Sequence, residues 1–103
     1  MLFRSHPLYG APELIVVSSS EDGNVASANV AMIVHNMALE AVEQSVGHCD
    51  IYGAIAGLNT NPELVAKLNL PDGFKPCGAI CLGVSSDTYE EREIPNRIEI
   101  NTI

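Results

Sequence analysis

Basic residues are scarce in this chain. Five lysines and arginines stand against 13 aspartates and glutamates, for a formal net charge of -8. The five are scattered, and phosphate recognition needs clustered cations, so nucleic acid is excluded as a partner. The same charge disfavours an anionic membrane surface. Cysteine is sparse too: three residues, an odd number and too few for a disulfide framework. A reducing, cytoplasmic setting is therefore expected. There is no P-loop, no Gly-x-Gly-x-x-Gly and no nucleophile elbow. The opening residues, Met-Leu-Phe-Arg-Ser-His-Pro, lack the apolar region and cleavage site of a signal peptide. Long apolar runs are missing as well, with one exception.

The exception runs from Val25 to Gly47. Val25, Ala28, Met32, His35, Leu39, Val42 and Val46 recur at steps of three and four, one face of a helix. Ala26, Val30, Ile33, Met37 and Ala41 form a second row beside it. Ser27, Asn29, His35 and Asn36 interrupt the apolar run, so a membrane span is not expected. A helix apolar on so many faces must be buried on more than one side. It would be roughly 33 Å long, about the width of a small domain. A chain of 103 residues makes one domain and can hardly wrap such a helix alone. A core shared with another copy is expected.

Around the helix the pattern reads as α+β. Leu14 to Val17 is a β-branched apolar run and a buried strand. Glu21 to Asn24 is a turn in which Asp22 or Asn24 could cap the long helix, and Gly47 suits its end. His48 to Gly57, punctuated by Gly53 and Gly57, reads as an extended segment bending into a loop. Asn61-Pro62-Glu63 starts a short helix ending near Asn69. Leu70 to Gly73 is a turn, Cys77 to Val84 a second buried strand, and Ser85 to Glu93 an acidic loop. Ile98 and Ile100 alternate with polar residues, as in a half-exposed strand that could pair with another subunit's sheet edge.

Few side chains suggest catalysis. His35 lies midway along the first stripe, but no acid or cysteine sits at i±3 or i±4, which favours a hydrogen-bonded core or interface histidine over an acid or base. Cys77 and Cys81 share a strand face but would stand about 13 Å apart, too far to share a zinc ion. Inert thiols are the simpler reading, and Cys49 has no base beside it. Asp87, Glu90, Glu91 and Glu93 lack the spacing of a calcium loop. No catalytic or metal-ligating residue is assigned. Asp50-Ile51-Tyr52-Gly53 is different: it puts exposed backbone just after the helix, where a flat heterocycle could hydrogen-bond and Gly53 would allow close approach.

Several segments in order resemble a known family. These are Gly10-Ala-Pro12 before an apolar strand, Asn-Met-Ala-Leu-Glu-Ala (36 to 41), and Ser-Val-Gly-His-Cys-Asp-Ile-Tyr-Gly (45 to 53). Leu68-Asn-Leu-Pro-Asp-Gly-Phe-Lys-Pro76 and Ala79-Ile-Cys-Leu-Gly83 follow. The whole resembles the C-terminal half of the nitroreductase family of FMN-dependent flavoproteins. The resemblance implies a small sheet packed on a long central helix, in an intertwined homodimer with FMN at the subunit interface. It implies that Asp50, Ile51, Tyr52 and Gly53 contact the flavin ring, and that Arg97, beside Asn96, holds the phosphate before a last strand that reaches the partner.

The family's N-terminal region, with an Arg-Arg-Ser-x-Arg-like phosphate grip, is not matched; Arg4-Ser5 is not a convincing substitute. Residues 1–103 thus read as one truncated nitroreductase-like domain, and a missing N-terminal half is a conceivable partner. Two functions follow. One is an oxidoreductase taking hydride from NAD(P)H onto FMN, the flavin supplying the chemistry. The other is a non-catalytic dimeric remnant that binds flavin weakly or not at all.

Overall fold

A computed structural model describes residues 8–88, 90–95 and 97–103. The elements are β1 (Glu13–Ser19), α1 (Asn24–Glu43), β2 (Gly47–Asp50), α2 (Tyr52–Asn59), α3 (Pro62–Ala66) and β3 (Lys75–Gly83). The three strands form one antiparallel sheet in the order β1-β3-β2, so β3 is central. The expected α+β arrangement, a small sheet on a long helix, is what the chain adopts.

α1 packs on the sheet through a row that departs from both of those read in the sequence. Its buried residues are Ala26, Val30, Val34, Ala38 and Ala41. Val30, Val34 and Ala38 form a core cluster with Ile80 of β3, which is wholly buried. Burying such a valine or isoleucine stabilises by about 1.5–3 kcal/mol. The reason for the choice of face lies across the contact. A Cβ added to Gly78 would come within 2.6 Å of Val30 Cγ1 and 3.3 Å of Val34 Cγ2. The missing side chain lets helix and sheet approach closely, and only a face of small residues fits there. Met32 and Leu39, each 57% exposed, point away, as do Val25, Val42 and His35. By length and hydropathy alone α1 could cross a bilayer, but its inner row is committed to the sheet.

The ends of α1 also differ from expectation. Gly23, at φ 94°, is the N-cap and no side chain caps the helix. Asp22 instead pairs with Lys75 at the start of β3, a contact that raises the lysine pKa through its hydrogen bond and charge. At the other end, Ser45 takes a left-handed φ of 57°. The Val46 amide donates to Ala41 O at 2.8 Å and the Ser45 amide to Val42 O at 3.1 Å, a Schellman closure. Gly47 is thereby free to begin β2.

The segment after β2 is a helix, not a loop. Ile51 and Ile55, four apart, are buried, and Gly53 and Gly57 are carried within α2. Gly78 faces the α1 cluster, whereas Leu14, opposite Cys81 in the ladder, borders a groove with α2. Since side chains alternate along a strand, α1 and α2 cover opposite faces of the sheet. α3 begins as expected, with the Asn61 side chain accepting from the Leu64 amide at 3.3 Å, but it is shorter, ending at Ala66. The Phe74 amide closes a turn onto Pro71 O at 3.0 Å, with Gly73 at φ 80°.

The expected terminal strand does not form. Among the described residues, 84–103 contain no helix or strand and are exposed, Ile98 and Ile100 included. A strand needs a ladder partner, and the chain offers this segment none.

Candidate functional site

A cavity of about 180 Å³ opens where the N-terminal half of α1 meets the junction of β2 and α2. Its walls come from three directions. Ser27, Val30, Ala31 and Val34 supply the helix side, and Cys77, Gly78 and Ala79 the strand side. Asp50, Ile51 and Tyr52 close the third side. The lining is mostly apolar, with Asp50, Ser27 and Tyr52 among its residues of polar side chain.

Three of the residues singled out in the sequence thus converge. Their backbone is positioned by the sheet: the Ile51 amide donates to Ala79 O at 2.9 Å, one rung beyond the end of β2. The chain then turns directly into α2, whose first turn has no side-chain cap. The amides of such a turn lack intrahelical partners and carry the positive end of the helix dipole. With the Ile51 amide taken by Ala79 O, the Tyr52 amide is the donor this turn offers, at a helix start and not at the C-terminal edge of α1 that the sequence suggested.

The remaining residues do not join them. Gly53 lies in α2 on a separate groove with Leu14, Ile55, Leu58 and Leu64. Arg97 borders a hollow among Arg92, Glu93, Ile94 and Pro95. Asn96 and Arg4-Ser5 lie outside the described residues. No lysine or arginine lines the cavity, and among the described residues no three metal-ligating side chains converge.

Other features were not visible in the sequence. Cys77 occupies a bulge: Val17 pairs with Gly78 and Ser18 with Pro76, so Cys77 has no rung of its own. The bulge lets it pack against the α1 cluster, away from Cys81, and the two do not share a regular strand face. Cys81 instead lies opposite Cys49 in the ladder. Gly78 could have been suspected, since glycine inside an apolar strand often marks a close approach. Nothing marked Ser27 or Ala31 as walls. The Nδ1 atom of His48 is buried without a hydrogen-bond partner.

No protein-family model matches the chain, and no curated protein matches its sequence. Solved structures do match. A nitroreductase with bound FMN from Bacteroides fragilis superposes with a TM-score of 0.73 at 24% identity, over 93% of this chain and 54% of its own. One from Desulfitobacterium hafniense, also with bound FMN, gives 0.74 at 20%, over 94% and 53%. A nitroreductase-like family protein from Bacillus cereus gives 0.60 at 26%, over 87% and 51%. The chain has the nitroreductase fold. It spans about half the length of these nitroreductase structures.

Proposed function

We propose that this chain forms part of an FMN site, presenting the cavity between α1, Gly78 and Asp50–Tyr52 to one edge of the flavin ring. The observation that carries this reading is the apolar cavity bordered by the uncapped start of α2, in a chain with the nitroreductase fold. The fit is to part of the cofactor. About 180 Å³ falls below the roughly 300–1,000 Å³ usual for a complete small-molecule site. An apolar slot beside a helix-start amide suits a planar ring, and a lining without lysine or arginine does not suit a phosphate.

The rest of the site would come from a second copy. Met32, Leu39, Val42, Ile98 and Ile100 expose apolar surface of a kind that single soluble chains rarely leave bare. Pairing along the outer face of α1 would cover it. The C-terminal segment crossing from one copy to the other would bring Arg97 toward the phosphate. When bound, FMN supplies hydride and electron transfer, with NAD(P)H as the proposed donor. The chain's own part is to exclude water from the ring edge and to hold it by the amide of Tyr52 at the start of α2, with no side chain moving a proton.

The second reading is a dimeric, non-catalytic remnant, favoured by the small cavity and its lack of a cation. Titrating FMN while following its fluorescence separates the two. Saturable quenching in the wild type, lost in Ala31→Phe while the fold persists, supports the flavin site. No saturation up to millimolar FMN leaves the remnant.

A further inference from the structure

On the far side of the sheet from this cavity, Cys49 of β2 and Cys81 of β3 form one rung of the ladder. Both are free thiols, Cys49 exposed and Cys81 buried. The Ile51 amide bonds to Ala79 O two residues along, and alternation makes Cys49 and Cys81 a hydrogen-bonded pair as well. The Cα atoms of such a pair stand about 5.5 Å apart, inside the roughly 4.4–6.8 Å window of disulfides. Facing Cβ atoms in antiparallel pairs lie about 4.5–5.5 Å apart, against about 3.5–4.5 Å in a disulfide, so closing the bond asks for a contraction on the order of 1 Å. β2 is a four-residue edge strand and can yield that much. Both thiols border an open groove of about 270 Å³ together with Pro12, Gly47 and Gly83, which gives a small reagent access.

We propose that Cys49 and Cys81 are a redox-active dithiol that a small-molecule disulfide of the glutathione class converts to an interstrand disulfide. The exposed Cys49 thiolate attacks one sulfur of the reagent, whose S–S bond breaks and releases one thiolate. A mixed disulfide now sits on Cys49. The Cys81 thiol then gives up its proton and attacks Cys49 Sγ, expelling the second small thiolate. Two protein thiols and one small disulfide become one protein disulfide and two small thiols. The roles follow from the surroundings. Burial, reinforced by the neighbouring Cys49, pushes the Cys81 thiol pKa up, so it is the poorer first attacker and suits the resolving step. Cys77, displaced by its bulge and bonded to Lys75 O at 3.2 Å, stays out. Cys49 directly precedes Asp50, so the bond would pin one wall of the cavity on the opposite face.

The test is to incubate the reduced, folded chain with oxidised glutathione, block free thiols, and map peptides without reduction. The expected result is a Cys49–Cys81 cross-link with Cys77 blocked. Cys81→Ser should instead accumulate glutathione on Cys49, and Cys77→Ser should behave as wild type. In urea the preference for the 49–81 pair should disappear. A stable glutathione adduct on wild-type Cys49 with no cross-link would overturn the proposal. So would cross-linking in the folded chain that shows no more preference for this pair than the unfolded chain does. Neither readout depends on flavin binding or on the Cys81 variant folding.

Discussion

Gly78 lies so close beneath Val30 that a single added carbon would meet the valine Cγ1 at 2.6 Å. The contact fixes how near α1 comes to the sheet, and the same glycine lines the cavity. Gly78→Ala should therefore destabilise the chain by about 1–3 kcal/mol, the usual range for overpacking. Urea unfolding measures it. An unchanged midpoint would mean that α1 and β3 are less tightly joined than described.

The outer face of α1 makes the opposite prediction. Met32 is mostly exposed within one chain, so Met32→Asp should leave the isolated fold intact. If that face is buried against a second copy, an unpaired carboxylate there costs several kcal/mol, and sedimentation should show the assembly falling apart. A variant that stays assembled to the same degree would rule out this surface as the interface.

That face shows what the sequence could and could not disclose. Periodicity marked α1 plainly, but it did not say which face meets the sheet. Gly78 makes that choice, because close approach favours Ala26, Ala38 and Ala41 over Met32 and Leu39. Val34 and Ala38 belonged to neither row read from the sequence. β1 was legible from its β-branched run and β3 from its apolar one. α2 was not, since Gly53 and Gly57 look like breaks until Ile51 and Ile55 are seen to share a buried side. Asp50–Tyr52 was singled out in the sequence, and the turn it forms lines the cavity. Ser27 and Ala31 reach the cavity only through the helix packing, which no local pattern specifies.

At the end of α1, Ser45 holds a left-handed backbone that costs an ordinary residue roughly 1–2 kcal/mol relative to the right-handed form. Glycine is at ease there. Ser45→Gly should stabilise the fold by up to about 1 kcal/mol, visible as a higher melting temperature. A lower one would mean that the serine side chain matters to the cap.

The buried thiol gives a pH dependence. The Cys81 pKa is raised by burial and by Cys49, so the folded chain holds this proton more tightly than the unfolded chain does. Stability from this group is complete below the unfolded thiol pKa of about 8.5 and is lost as pH rises toward the higher folded value. Urea midpoints under reducing conditions should fall between neutral and strongly alkaline pH, and Cys81→Ala should flatten the fall.

Arg97 tests the crossing of the C-terminal segment. Within one chain it does not reach the cavity. If a second copy delivers it to the FMN phosphate, Arg97→Ala should weaken FMN binding by about 1.5–3 kcal/mol, the scale of a hydrogen bond to a charged group. Equal affinities in the fluorescence titration would remove it from the site.

The central position of β3 has a bearing on how the chain comes together during synthesis. β1 and β2 both bond to β3 and not to each other, and β3 is the last regular element in chain order. Until Lys75 and its successors leave the ribosome, neither earlier strand has a partner and the small-residue row of α1 has nothing to rest on. Folding of this unit must wait for β3, and its loops close over long sequence separations, the slow kind. For that interval a long, apolar helix is without its sheet. A nascent chain stalled before β3 is thus the form most in need of a chaperone.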